Sequence, residues 1–214
     1  MAILVPSILS ANFANLEKDI HECEENNITM FHLDIMDGHF VPNISFGSAV
    51  VANIRKVTKA KLDSHLMIES PEKYLEQFIK VGSDIITFHI ESIKDSKILK
   101  KAKDFNVQVG LAINPDTEII RVPDFFDYLD YILVMSVHPG FSGQKFIYES
   151  LEKIRTLRGM LKKDNRKIKI EVDGGVNLSN ARSIVDAGAE YLVAASAIFQ
   201  GNITDNIKKF YSIL

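Results

Sequence analysis

Residues 31–38 read Phe31-His32-Leu33-Asp34-Ile35-Met36-Asp37-Gly38. On a β-strand successive side chains point to opposite faces. Phe31, Leu33 and Ile35 therefore share one face, and His32 and Asp34 share the other. If the apolar set packs beneath covering helices, the histidine and the aspartate look into the interior of the fold near a strand end. Short apolar runs of this kind recur along the chain, with strands predicted near 3–8, 29–35, 60–67, 84–89, 106–113, 130–136, 167–173 and 190–195. Amphipathic stretches around 12–25, 47–58, 71–81, 94–104, 147–163, 178–187 and 202–212 predict helices between them. Ser70-Pro71 marks a helix start with a capping serine and a first-turn proline, and Gly82 and Gly188 sit where helices should stop. The fifth crossover is broken by Pro115 and Pro123.

Eight strands in 214 residues leave about 27 residues per unit, near the lower size limit of a closed eight-fold barrel. No linker, low-complexity segment or compositional shift divides the chain. The reading is α/β: a single-domain (β/α)8 TIM barrel spanning residues 1–214. A doubly wound open sheet is the rival, because strand–helix alternation alone does not reveal closure. The strand count favours the barrel. So does the chemistry, since nearly every polar residue of interest ends a strand or opens the following loop, and in a barrel those positions converge on one face.

Composition narrows the function classes. The chain is 46% hydrophobic and 25% charged, with a net charge of −3, as expected for an ordinary globular protein. That balance argues against nucleic-acid binding through a wide basic surface. No apolar run approaches the ~18 residues that span a membrane, and Met1 to Ser10 lacks the basic leader of a signal peptide. Cys23 is the one cysteine and cannot pair internally, so a reducing, cytoplasmic setting is expected.

Strand three ends Asp63-Ser64-His65-Leu66-Met67 and strand seven ends Glu171-Val172-Asp173-Gly174-Gly175. The alternation that turns His32 and Asp34 inward also turns His65 inward with Asp63 and Met67, and Asp173 with them. Two imidazoles and two carboxylates then meet in one mouth. Such mixed nitrogen and oxygen ligation suits Zn2+, Fe2+, Mn2+ or Co2+. A lone histidine is more often structural, and an aspartate at a strand end is often only a cap. Four such residues at three strand ends with matching parity make a site. His21 reads as solvated and His39 as a loop residue. His89 points at the mouth if the parity holds, with a structural role equally open. His138 opens the sixth loop.

Three segments look built to hold an anion: His138-Pro139-Gly140-Phe141-Ser142-Gly143-Gln144, Gly174-Gly175, and Ala195-Ser196-Ala197-Ile198-Phe199. Loops after strands seven and eight, with a short helix start, recur as phosphate sites in barrels, where backbone N–H groups receive the dianion. Glycine pairs mark ordinary turns everywhere. Their order on neighbouring strands points to a phosphorylated substrate.

Long blocks of the chain resemble the ribulose-phosphate 3-epimerase family. They begin with Val5-Pro6-Ser7-Ile8-Leu9-Ser10-Ala11 and continue through residues 32–43, 64–67, 139–146 and 171–175 to Ser196-Ala197-Ile198-Phe199. The resemblance implies a barrel enzyme of the pentose phosphate pathway that interconverts D-ribulose 5-phosphate and D-xylulose 5-phosphate. It implies one divalent metal ion bound by His32, Asp34, His65 and Asp173, with Asp34 and Asp173 as the acid/base pair. Ser7 is implied as a substrate contact. Met36, Met67 and Met135 are implied to line the reaction site. Gly140 to Gly143, Gly174 with Gly175, and Ala195 with Ser196 correspond to the substrate and phosphate loops. Homo-oligomers are common among the family. Two departures stand out: glycine is usual where this chain has Ser142 and Ala195. An added β-carbon restricts positive φ and close backbone approach, which predicts an altered substrate affinity or phosphate orientation.

Inverting a carbon beside a ketone requires removing one proton and returning another from the opposite face, which two flanking carboxylates achieve without turning the intermediate. Three rivals remain. A 3-epimerase of D-allulose 6-phosphate would use the same groups and differ beyond C4. A decarboxylase resembling orotidine-phosphate decarboxylase would need a lysine where Met36 stands. A noncatalytic phosphosugar-binding barrel would not need two inward aspartates beside two inward histidines, because buried charge is costly without a cation or a task.

Overall fold

Strand β2, Met30–Met36, is buried along its whole length, which places it in a parallel sheet covered on both faces. The computed structural model describes residues 2–214. Strands β1 (Ile3–Pro6), β3 (Lys61–Met67), β4 (Ile85–His89), β5 (Gln108–Ile113), β6 (Tyr131–Met135), β7 (Lys169–Asp173) and β8 (Tyr191–Ala194) complete the set. All pair in parallel in the order β1-β8-β7-β6-β5-β4-β3-β2. A single parallel bridge from Ser7 to His32 joins the two ends and closes the barrel.

Alternation sorts the side chains as the sequence predicts. Phe31, Leu33 and Ile35 join Leu62, Leu66, Phe88, Leu111 and Val134 in one continuous core between strands and helices. Inside the barrel Val5, Met30, Ile85, Tyr131 and Val193 form a smaller apolar group. His32, Asp34, Asp63 and His65 are buried polar residues of the neighbouring strands β2 and β3.

Helices α1 (Leu16–Glu25), α2 (Ser48–Val57), α3 (Leu75–Lys80), α4 (Lys97–Asp104), α5 (Ser150–Lys163), α6 (Ala181–Ala187), α7 (Ser196–Phe199) and α8 (Ile203–Tyr211) cover the outside. Each predicted helix is present, though most start later than the pattern suggests. Residues 13–15 form a 3-10 turn capped by the Asn12 side chain. Pro71 opens a 3-10 turn rather than α3 itself, and Ser70 makes no side-chain cap bond. The proline disfavours the helical conformation in the residue before it. Gly188 ends α6 at a φ of 119°, as expected of a C-terminal glycine. The proline-broken fifth crossover is a 3-10 segment, Ile119–Tyr128, which still buries Val122, Phe125 and Phe126.

Candidate active site

The polar mouth is built on strands that pair side by side. In the β2–β3 register His32 faces Asp63 and Asp34 faces His65, while Met135 on β6 faces Asp173 on β7. The expected gathering occurs. One nitrogen or oxygen each from His32, Asp34, His65 and Asp173 lies within 4.8 Å of all the others. His65 Nδ1 is 3.1 Å from Asp34 Oδ1 and 3.1 Å from His32 Nε2. Ser7 donates its hydroxyl to Asp34 Oδ2 at 2.6 Å, which leaves Oδ1 facing the imidazoles. His32 Nδ1 is held by Asp63 Oδ2 at 3.0 Å, and Asp63 accepts in turn from Thr87 Oγ1 at 2.8 Å.

Electrostatics divides the two carboxylates. Burial favours the neutral acid at Asp34, but His32 and His65 outweigh it and hold the group ionised, well below the usual carboxylate range. At Asp173 burial works together with the neighbouring Asp34 charge and pushes the carboxyl up to about 7. Burial lowers His65 to about 4. It opposes protonation of His32 too, but Asp34 and Asp63 prevail and raise that imidazole well above its ordinary value. Among the described residues no lysine or arginine pairs with Asp34 or Asp173. Asp34 pairs with the imidazoles of His32 and His65, and Asp173 lies beside Asp34 and His32. Two borderline nitrogens and two hard oxygens converging from three strands, with acidic charge in excess, fit a divalent transition-metal ion.

Above this cluster opens a cavity of about 520 Å³, including its mouth, lined by Asp34, Asp173, Met36, Met67 and Met135. The loop residues Gly140, Phe141, Ser142, Gly143, Gly174, Gly175, Ala195 and Ser196 line it as well. Ser7, His32 and His65 lie beneath, fully buried. The loops are braced. Asn43 Nδ2 donates to the Gly140 carbonyl at 2.6 Å. Asn177 and Asn180 both donate to the Gly175 carbonyl at 2.9 Å. Ser136 Oγ ties the end of β7 through the carbonyls of Asp173 and Gly174. Neither Ser142 nor Ala195 adopts a positive φ; Ala195 sits at −103°. The positive-φ restriction expected of their β-carbons therefore does not arise.

The model of the ribulose-phosphate 3 epimerase family matches residues 3–199. The chain belongs to the ribulose-phosphate 3-epimerase family. The ribulose-phosphate 3-epimerase of Bacillus subtilis (strain 168) is 43% identical over 201 residues, 93% of each chain. The chloroplastic ribulose-5-phosphate-3-epimerase of Arabidopsis thaliana is 43% identical over 200 residues, covering 92% of this chain and 71% of that one. The 3-hexulose-6-phosphate synthase of Salmonella typhimurium superposes with a TM-score of 0.72 at 15% identity, covering 100% of this chain and 98% of that one. At that identity the likeness is one of fold.

Three groups around the site have no role in the sequence reading, although Asp63 is placed on the inward face there. Asp63 orients His32, and Glu171 lies fully buried below the cluster with neither oxygen hydrogen-bonded to a donor. Burial, with the Asp63 charge beside it, raises the Glu171 carboxyl well above its usual range. Parity carried the signal for both, since Asp63 and Glu171 stand two residues before His65 and Asp173. The third, Glu91, lies in a loop beyond the reach of parity. Of the remaining histidines, His89 is buried against His65, whereas His21, His39 and His138 are exposed.

Proposed function

We propose that the chain inverts C3 of a ketose phosphate and interconverts D-ribulose 5-phosphate and D-xylulose 5-phosphate. The observation that carries this reading is the pair of carboxylates, Asp34 at β2 and Asp173 at β7, lining one cavity. One, as the carboxylate, takes the C3 proton, while the other, as the neutral acid, returns one to the opposite face. In the reverse direction the roles exchange. Positioned proton transfer contributes ~10²–10⁴-fold. His32, Asp34, His65 and Asp173 would hold a divalent cation of the Zn2+, Fe2+, Mn2+ or Co2+ class, which would supply Lewis-acid stabilisation of developing negative charge.

The remaining residues position the substrate. Ser7 fixes one oxygen of the Asp34 carboxylate. Met36, Met67 and Met135 give the reacting carbon an apolar, adaptable wall. Backbone N–H groups of Gly140 to Gly143, Gly174, Gly175, Ala195 and Ser196 hold the phosphate, and that remote grip keeps C3 between the carboxylates. Residues 1–214 act as one catalytic domain in the cytoplasm, as a homo-oligomer whose partner is a small phosphosugar rather than nucleic acid or a membrane. Among the described residues no helix is long and apolar enough to cross a membrane.

The test is incubation of the cation-loaded enzyme with D-ribulose 5-phosphate in deuterated water. Deuterium at C3 of both ketoses is expected. Unlabelled sugar recovered after prolonged incubation overturns the proposal, and faster labelling of D-allulose 6-phosphate reassigns the substrate.

A further inference from the structure

Only one ring nitrogen of His65 faces Asp34 and His32. The other, Nε2, turns away from the cavity and lies 2.8 Å from His89 Nε2. The two rings stack at 4.9 Å with a 24° tilt, and both side chains are fully buried. His89 Nδ1 in turn meets Glu91 Oε2 at 3.1 Å. The second Glu91 oxygen, Oε1, accepts from the Asn114 N–H at 2.9 Å and from the Thr117 hydroxyl. Lys153 pins that loop by donating to the carbonyls of Asn114, Pro115 and Thr117 at 2.9, 2.8 and 2.8 Å. A carboxylate and two imidazoles thus form a file from the edge of the barrel to the cation site.

The file has a direction. Glu91 as a carboxylate only accepts, and the hydrogen bonds from His89, Thr117 and Asn114 outweigh burial to keep it ionised, at about 2. His89 Nδ1 must then carry the proton. With the ring proton of His89 on Nδ1, its Nε2 lone pair faces His65 at 2.8 Å, so His65 Nε2 carries the next proton and donates. That leaves the lone pair of His65 on Nδ1, pointing at Asp34 and His32, which is the form a metal ligand requires. We propose that Glu91, acting through His89, is a positioning residue for the cation site: the buried file Glu91–His89–His65 holds the His65 ring in the tautomer that presents Nδ1 as a ligand. The inference rests on the proposed cation site but concerns Glu91 and His89, which are not among its ligands.

An isosteric variant reverses the file. In Glu91→Gln the donors Asn114 and Thr117 still demand an acceptor at the Oε1 position, so the new amide nitrogen falls opposite His89 Nδ1 and donates to it. His89 then donates from Nε2, and His65 must protonate Nδ1. His89→Phe keeps the ring volume and removes the acceptor for His65 Nε2. Cobalt(II) affinity is measured by visible absorption against a competing chelator, and thermal unfolding of the metal-free forms checks the fold. The tautomer of His65 is read from its ring-nitrogen resonances by ¹⁵N NMR on the metal-free chain. Glu91→Gln is expected to weaken cobalt binding ~10–100-fold and to move the His65 proton from Nε2 to Nδ1. His89→Phe should lose affinity in the same direction. An unchanged affinity and an unchanged tautomer in Glu91→Gln overturn the inference. Failure of the unaltered chain to take up cobalt overturns the cation site instead, and the tautomer comparison still decides the file.

Discussion

Replacing Gly175 by alanine puts a methyl group where the backbone leaves no room for one. Gly175 has a φ of +64°, and a β-carbon there would lie 2.6 Å from the Phe146 amide nitrogen and 2.9 Å from the Gln144 carbonyl oxygen. Gly143, in the same cavity wall, has a φ of +76° with nothing within 4 Å of the corresponding position. Alanine at Gly143 therefore carries only the left-handed backbone cost, ~1–2 kcal/mol. For a chain of this length ~1 kcal/mol shifts Tm by about 2–4 °C, so Gly143→Ala should lower Tm by about 2–8 °C. Gly175→Ala carries the same cost plus a collision with main-chain atoms, which cannot swing aside as a side-chain tip can, and should lose distinctly more. Relief requires residues 144–146 to move, which shifts the loop that lines the cavity and raises KM for the phosphosugar. Thermal unfolding of both variants by circular dichroism at equal cation concentration, with KM on D-ribulose 5-phosphate, tests the argument. Equal Tm losses, or an unchanged KM in Gly175→Ala, would refute it.

Asp34→Asn and Asp173→Asn should each reduce epimerisation by at least ~10²–10⁴-fold with near-native circular dichroism, and turnover close to that of the unaltered enzyme in either variant would reject the two-carboxylate assignment. Chelator treatment should remove activity and re-addition of a divalent ion should restore it, and because bound ligands must give up protons, cobalt affinity measured between pH 8 and pH 5 should fall as the pH drops. The raised carboxyl of Asp173 also sets a stability trend in the metal-free chain. Its folded form holds a proton between about pH 4 and pH 7 that the unfolded form has released, so its contribution is complete at low pH and is lost as the pH rises toward 7. Asp173→Asn should accordingly gain in Tm relative to the unaltered metal-free chain across that interval, and a constant difference would show that Asp173 titrates normally.

Much of the barrel could be read from periodicity because each strand carries a two-residue alternation with two distinct destinations. Phe31, Leu33 and Ile35 went to the helices and His32 and Asp34 to the interior, and the same parity located His65 and Asp173. Parity also marked Asp63 and Glu171, but carboxylates deep inside a barrel look unfavourable until their partners are known. α3 starts later than Ser70 and Pro71 predict, because these residues have the composition of a helix start while the chain there turns through a 3-10 segment first. Glu91 was illegible for a different reason. Its role depends on Asn114, Thr117 and Lys153, residues far along the chain that only the closed fold brings to it.

The two ends of the sheet meet at one bridge, between Ser7 and His32, whereas β2 is paired with β3 along its whole length. The thinnest join of the cylinder therefore runs beside the reacting groups. Ser7 and Asp34 clasp across it from either side, and the candidate ligands stand on β2 and β3 on one flank and on β7 on the other. A bound ion would act as a rivet over that gap, so amide exchange at the β1–β2 join should slow when the ion is present. Mechanical integrity and chemistry would then share the same few atoms.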